Sequence, residues 1–148
     1  NNTFVENLAT DATLDERVTF ASFTFGGVDF ANNVFSGNNP DAMPATFDLH
    51  ATNVTDLVNN ALVAIAGMPR TATGTFEGDP QFVDAANGNY RLAPGSPLID
   101  AGTDTPAGGL APFDIDGASR IQGTQVDIGA FEATPSGDAL FASGFDAI

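Results

Sequence analysis

Short runs in which apolar and polar residues alternate dominate the first half of the chain. Residues 18–25 (VTFASFTF) and 28–30 (VDF) follow this alternation, which predicts half-buried β-strands. Charged residues at 10–17 and turn-forming residues at 38–44 separate such runs, so we expect an inserted loop and a turn there. Residues 51–66 fit a short helix or a pair of strands, and their periodicity does not separate the two.

A repeated frame underlies this pattern. The frame N-N-x-F-x-x-N begins at Asn1 and again at Asn32, 31 residues later, and a weaker copy with Leu in place of Phe begins 27 residues further on, at Asn59. Periods of about 20 to 50 residues are typical of solenoids. We therefore predict β-helix coils in which the apolar residues stack inward and the asparagine amides bond from coil to coil. The predicted stack consists of Asn2, Phe4, Asn33, Phe35, Asn60 and Leu62.

The composition changes after Gly78. Turn signals such as Asp-Pro, Asn-Gly and Pro-Gly follow every few residues as far as Glu132, and such spacing excludes long strands. The sequence therefore predicts terminal β-helix coils over 1–78, a turn-rich capping block over 79–132 and a C-terminal tail over 133–148. A cap of this kind would cover the exposed edge of the last coil.

Polar residues of the predicted cap have structural roles in this interpretation. We expect Asp100 and Asp127 to accept hydrogen bonds from backbone N–H groups at tight turns. We expect Arg91 and Arg120 to pair with carboxylates of the same block, because a charge-assisted pair satisfies both groups.

Several motifs in this block resemble a known family. D-P-Q-F-V-D (79–84), N-G-N-Y-R-L (87–92), A-P-G-S-P-L-I-D-A-G (93–102), F-D-I-D-G (113–117) and V-D-I-G-A-F-E (126–132) occur in this order. Together they resemble the choice-of-anchor type C-terminal domain that follows right-handed parallel β-helix repeats in bacterial exported proteins. The tail D-A-L-F-A-S-G-F-D is similar to a C-terminal signature of exported proteins. The resemblance implies a right-handed parallel β-helix with a C-terminal cap, and a secreted or cell-surface location.

Composition agrees with an all-β fold and excludes some classes of binding partner. The chain has 13 Phe, 16 Gly and 9 Pro, which favours short strands and many turns. Its 19 acidic and 4 basic residues give a net charge of −15, which argues against binding to nucleic acid or to anionic membranes. The longest apolar run, residues 61–67, is too short to cross a bilayer. Calcium binding and a solvated acidic surface remain, and the acidic surface is the simpler interpretation.

Calcium is the one cofactor that the sequence raises. Asp114 and Asp116, followed by Gly117, resemble the start of an oxygen-rich calcium loop. The fifth and twelfth positions of such a loop are Ala118 and Gln125, which do not supply the required ligands. Structural turns held by the Asp side chains are therefore the favoured interpretation, and no other cofactor is predicted.

No catalytic residue is predicted in the chain. Cleavage of an acidic polysaccharide needs paired carboxylates on one face, or a calcium site with an Arg or Lys base. The chain has no Lys, and its four Arg lie in the predicted cap, in the charged loop and after Met68-Pro69. The Asp residues of the predicted coils are not paired by their spacing. We expect a non-catalytic extracellular structural or adhesive module that binds cell-surface polysaccharide or self-associates into filaments through an open coil edge at Asn1. The alternative is the C-terminal portion of a secreted polysaccharide lyase or glycoside hydrolase, with its active site upstream of Asn1.

Overall fold

The computed structural model describes residues 1–5, 17–18, 27–37, 46–51, 55–63 and 65–134. Within these ranges the secondary structure is short strands and one turn of 3₁₀-helix at Ala85–Asn87. No helix in the part of the chain that the structure describes is long and apolar enough to span a membrane. The strands are β1 (Thr3–Val5), β2 (Arg17–Val18), β3 (Val28–Ala31), β4 (Val34–Ser36), β5 (Thr46–Phe47), β6 (Leu49–Ala51), β7 (Thr55–Val58), β8 (Ile65–Gly67), β9 (Thr71–Thr73), β10 (Phe82–Asp84) and β11 (Asn89–Leu92).

Most strand pairs are parallel. Strands β1 and β4, β2 and β5, and β6 and β8 form parallel two-stranded sheets, and β3, β7 and β9 form a parallel sheet in that order. Strands β10 and β11 form an antiparallel hairpin. Phe4 of β1 lies opposite Phe35 of β4, so the two phenylalanines of the repeated frame are neighbours across a strand pair.

The structure is all-β, but the prediction of a right-handed parallel β-helix is wrong. Its sheets contain two or three strands, and they neither close nor continue into a solenoid. The number of repeats is the physical reason, because β3, β7 and β9 complete their parallel sheet and the chain from β9 to residue 134 adds no further parallel strand to it. The parallel pairs are therefore local features, and the turn-rich block is not the cap of a solenoid.

Residues in the left-handed backbone conformation end several of these strands. Asn32 follows β3 with φ of 58°, Asn59 follows β7 with φ of 50°, and Gly74 follows β9 with φ of 63°. Asparagine and glycine tolerate this conformation better than other residues, since a short amide side chain bonds locally and glycine has no Cβ. Each of the three neighbouring strands thus turns at an equivalent place.

Two clusters of buried apolar residues form the core. Phe35, Leu49, Leu57 and Leu62 form one cluster, against which Phe4 packs with its ring stacked on that of Phe35 at 4.9 Å. The other cluster joins the two halves of the chain. It contains Val34, Ala61, Leu92, Leu98 and Ile128.

The second half of the chain is built from turns. Between Leu92 and Thr134 the structure has no strand, and an antiparallel bridge joins Phe113 to Ser119. The division at residues 78 and 132 stays a prediction, because the core cluster crosses the first boundary and residues 135–148 lie outside the described part. Strands β7 and β8 show that the described residues of 51–66 form strands and not a helix. Of the loop predicted over 10–17 and the strand predicted over 18–25, the structure describes Arg17 and Val18, which form β2, so the loop prediction is wrong at Arg17 and the strand prediction is confirmed at Val18. The rest of both segments and the turn predicted over 38–44 lie outside the described residues.

Candidate functional site

The predicted stack of repeat residues lies together, with its second and third copies buried, Phe4 half-buried and Asn2 exposed. The Asn2 side-chain amide donates to Asn33 Oδ1 at 3.0 Å, and Asn33 Nδ2 donates to Asn60 Oδ1 at 3.0 Å. Asn60 Nδ2 then donates to the carbonyl of Phe30 at 2.8 Å. Leu62 packs in the same cluster as Phe35. These six side chains bond and pack with one another, so their role is to hold neighbouring strands in register.

The first asparagine in the second and third copies of the frame has a role that the sequence did not indicate. Asn32 Nδ2 donates to the carbonyl of Thr103 at 2.8 Å, and its Oδ1 accepts from the Thr103 N–H at 2.7 Å. Asn59 Nδ2 donates to the carbonyl of Ala101 at 2.8 Å. These amides attach the turn at 101–103 to the strand region. The sequence did contain a relevant signal, because each copy of the frame begins with two asparagines. One Asn per copy is enough for the asparagine ladder, the chain of side-chain hydrogen bonds from Asn2 through Asn33 to Asn60.

A buried group of charged residues holds the C-terminal turns. Arg120 is 3% exposed, and its Nε lies 3.3 Å from Glu132 Oε1. Its guanidinium also donates to the carbonyls of Ala130 (2.9 Å) and Gly129. Arg120 is thus paired with a carboxylate of the same block and also bonds two backbone carbonyls of the neighbouring turn.

Buried Asp127 and half-buried Asp100 each accept hydrogen bonds from backbone N–H groups. Asp127 Oδ1 accepts from the Asp100 N–H at 2.7 Å, and Oδ2 accepts from the Ala133 N–H at 2.6 Å. Asp100 Oδ1 accepts from the N–H groups of Thr124 (2.7 Å) and Gln125 (3.0 Å). Both side chains therefore fix turns that are distant in sequence.

Burial changes the proton affinity of this group. The Glu132 side chain is 1% exposed, and burial raises its pKa to about 8. Burial also raises the pKa of Asp127 and lowers that of the Arg120 guanidinium. Water does not hydrate the charged forms of these buried side chains, so Glu132 holds its proton near neutral pH.

A cavity of about 850 Å³ lies between the β10–β11 hairpin and the C-terminal turns. We call it the carboxylate cavity. Val83, Leu92 and Ile99 contribute its apolar wall. Its polar lining residues are Arg91, Asp100, Asp114, Asp116, Gln122 and Glu132.

The two calcium candidates both line the carboxylate cavity. Asp114 accepts from the N–H groups of Asp116 (2.9 Å), Ala118 (2.8 Å) and Glu132 (3.1 Å). Both oxygens of Asp116 accept from Arg91, at 2.7 Å from its NH2 group. Within the described ranges no group of three or more His, Asp or Glu side chains is arranged to hold a metal ion. Their observed bonds are those of a turn and an ion pair, and calcium binding stays a prediction.

Two further side chains complete the carboxylate cavity. The guanidinium of Arg91 lies over the Phe131 ring, 4.9 Å from its centre, and this cation–π contact helps to hold the guanidinium in place. Gln122 Nε2 is buried and has no hydrogen-bond partner among the described residues. No sequence signal pointed to Gln122, because a lone Gln in a turn-rich segment is typical of a surface residue. Its Nε2 is a buried donor that no described group satisfies.

Comparison with known proteins adds no relative. No family model matches the chain, and no curated protein or solved structure matches it either. The resemblance to the choice-of-anchor type domain accordingly stays a prediction, and function has to be argued from the geometry described above.

Proposed function

We propose that the chain is a non-catalytic extracellular module with a structural or adhesive role. One observation carries this proposal: the buried charged side chains of the C-terminal turns are bonded to backbone groups and to one another. Arg120, Asp127 and Asp114 each hold two or more backbone groups in place. Such a network gives rigidity to a segment without strands. The net charge of −15 suits a soluble surface outside the cell.

The buried glutamate does not favour an enzyme. A raised pKa is common in general acids, but buried structural ion pairs also shift pKa values. At 1% exposure the Glu132 side chain is covered, and its oxygens face the Asp127 N–H at 3.2 Å and Arg120. A general acid has to reach the substrate oxygen to which it gives its proton.

Self-association has support from one strand edge. Strand β9 lies at the edge of the three-stranded sheet, and all three of its residues are exposed. Edge strands present backbone groups to which another strand can bond. The negative charge of each copy opposes this contact, so we expect association to grow as salt screens the charge. Sedimentation velocity at rising sodium chloride concentration measures this, and a monomer under all conditions would remove self-association from the proposal.

The adhesive role is tested by retention without turnover. We expect the fluorescently labelled full chain to remain on polysaccharide-coated beads after washing. We also expect it to release no new reducing ends or unsaturated products from the same polysaccharides. Product release that disappears in the Glu132→Gln variant would instead show that the chain is an enzyme.

A further inference from the structure

The loop between β10 and β11 contains the pair Asn87–Gly88, and no other Asn in the sequence is followed by Gly. In such a pair the backbone nitrogen of the glycine can attack the side-chain carbonyl carbon of the asparagine, because the glycine has no Cβ to obstruct the approach. A Cβ built at Gly88 would meet no atom of the described residues within 4 Å, so the loop is open there. Both features favour spontaneous deamidation of Asn87.

Both residues of the pair face solvent. Asn87 and Gly88 are exposed, so water, which is the second reactant of a deamidation, reaches them. None of the three described residues of the 3₁₀-helix Ala85–Asn87 is buried. Local opening of this single turn therefore uncovers no core side chain, and segments of this kind open at a small cost in free energy.

Hydrogen bonds hold both reacting groups while the loop is closed. The Gly88 N–H donates to the carbonyl of Ala85 at 3.0 Å, which occupies the nitrogen that would attack. Asn87 Nδ2 donates to Asp84 Oδ2 at 2.7 Å, which fixes the amide that would be attacked. A single hydrogen bond contributes little net free energy, so we expect these two bonds to slow the reaction and not to prevent it.

We propose that Asn87 is a site of spontaneous deamidation whose rate is set by local opening of this loop. The Gly88 nitrogen forms a bond to Cγ of Asn87, the Cγ–Nδ2 bond breaks, and the Gly88 N–H proton leaves on the ammonia that is released. Water then opens the succinimide ring at one of its two carbonyl carbons, which gives aspartate or isoaspartate in place of Asn87. No oxidant or reductant takes part, and the inference does not depend on the proposed adhesive function.

Either product disturbs the β10–β11 hairpin. A carboxylate in place of the Asn87 amide faces the Asp84 carboxylate to which that amide donates, and like charges so close together repel. Isoaspartate also lengthens the main chain by a methylene group between the paired residues Asp84 and Asn89. We therefore expect the converted chain to melt at a lower temperature than the original chain, and an unchanged melting temperature would contradict this step.

Peptide mapping of the folded full chain during incubation at mildly alkaline pH tests the inference. Trypsin cleaves after arginine, so it releases residues 71–91 as one peptide that contains both Asn87 and Asn89. Fragmentation of this peptide in the mass spectrometer assigns the mass gain to one residue, and isoaspartyl methyltransferase labels the isoaspartate product. We expect the gain at Asn87 and no gain at Asn89 over the same period. Asn89 is the internal control, because a tyrosine follows it.

Rates in the unfolded chain and in two variants test the control by the loop. We expect the chain in guanidinium chloride to react faster than the folded chain, by up to about a hundredfold, which is the protection that two hydrogen bonds give. Asp84→Ala frees the Asn87 amide and should raise the rate in the folded chain about twofold to tenfold. Glu77→Ala is the matched control, since Glu77 is an exposed carboxylate outside the loop, and its rate should equal that of the wild type.

Each of three results would overturn the inference. The first is equal conversion of Asn87 and Asn89. The second is a rate in the folded chain that equals the rate in the unfolded chain or lies more than about a hundredfold below it, because the reaction would then ignore the loop or await a larger unfolding. The third is an Asp84→Ala variant that reacts no faster than the wild type. Thermal melting shows whether this variant is folded, and the two wild-type comparisons do not need it.

Discussion

Replacing the carboxyl group of Glu132 by an amide tests whether this side chain is protonated or ionised in the folded chain. Glu132→Gln keeps the shape of the side chain, and its amide oxygen can still accept from the Asp127 N–H. Burial raises the pKa of Glu132 to about 8, so the wild-type side chain holds a proton near pH 7, and a neutral amide resembles it. We therefore expect the substitution to change the free energy of unfolding by less than ~1.5 kcal/mol, the contribution of about one hydrogen bond, at about pH 4, where the side chain is largely protonated in both the folded and the unfolded chain.

The pH dependence gives the larger effect. In the unfolded chain the carboxyl has its usual pKa of 4.5, whereas in the folded chain it is about 8. As the pH rises, the unfolded state loses its proton first, so this group's contribution to stability is fully present below 4.5 and is lost as pH rises towards 8. The slope approaches about 1.4 kcal/mol per pH unit, and it amounts to roughly 3 kcal/mol between about pH 5 and pH 8. The variant lacks this group's contribution.

Urea unfolding across this pH range measures the difference. The free energy of unfolding of the Glu132→Gln variant, minus that of the wild type, should rise by roughly 3 kcal/mol from about pH 5 to pH 8. Glu77→Gln makes the same charge change at an exposed position and should show no such rise. A pH-independent loss of about 3 to 5 kcal/mol in Glu132→Gln would refute the reasoning, because it would mark an ionised partner of Arg120.

Three further substitutions test the packing by urea unfolding. Asn60→Ala should cost about 2 to 4 kcal/mol, since it leaves buried amide groups of the asparagine ladder without partners; a loss below about 1 kcal/mol would contradict the ladder. Gly102→Ala should cost about 1 to 3 kcal/mol, because its Cβ would lie 2.7 Å from neighbouring atoms. The control Gly108→Ala has open space and should be nearly neutral. Arg120→Ala should cost about 2 to 4 kcal/mol, because it leaves the buried carbonyls of Gly129 and Ala130 without their donors. Arg70→Ala breaks an exposed pair and should cost at most about 1 kcal/mol.

Local pattern in the sequence predicted the strand region better than the turns. The spacing of the repeated frame placed Phe4 beside Phe35 and Asn33 beside Asn60, because residues that recur at one interval take equivalent places in paired strands. It could not predict how far each sheet extends. Strand length depends on where the chain leaves the extended conformation, as at Asn32 and Asn59, and an Asn in the sequence does not reveal its φ angle.

The candidate site was harder to predict for a different reason. Its geometry comes from contacts between residues far apart in the chain, such as Asp100 with Thr124, and these leave no periodic signal. Arg120 and Glu132 look like surface charges in the sequence, since charged residues are seldom buried. The sequence indicated the turn-rich composition of this block and the pairing of Arg120 with a carboxylate of the same block, but it indicated neither the burial of that pair nor the cavity.

The long-range hydrogen bonds of the turn-rich block also determine when the chain can complete its packing. Ala130 donates to the Thr3 side chain across 127 residues, and Gly129 donates to the carbonyl of Asn32. Strands near residue 3 therefore acquire their last partners after the ribosome has passed residue 130. A nascent chain carries these strands uncovered until then, and contacts of such sequence separation make folding slow. The packing around Thr3 and Asn32 is therefore completed only when residues 129 and 130 have been synthesised.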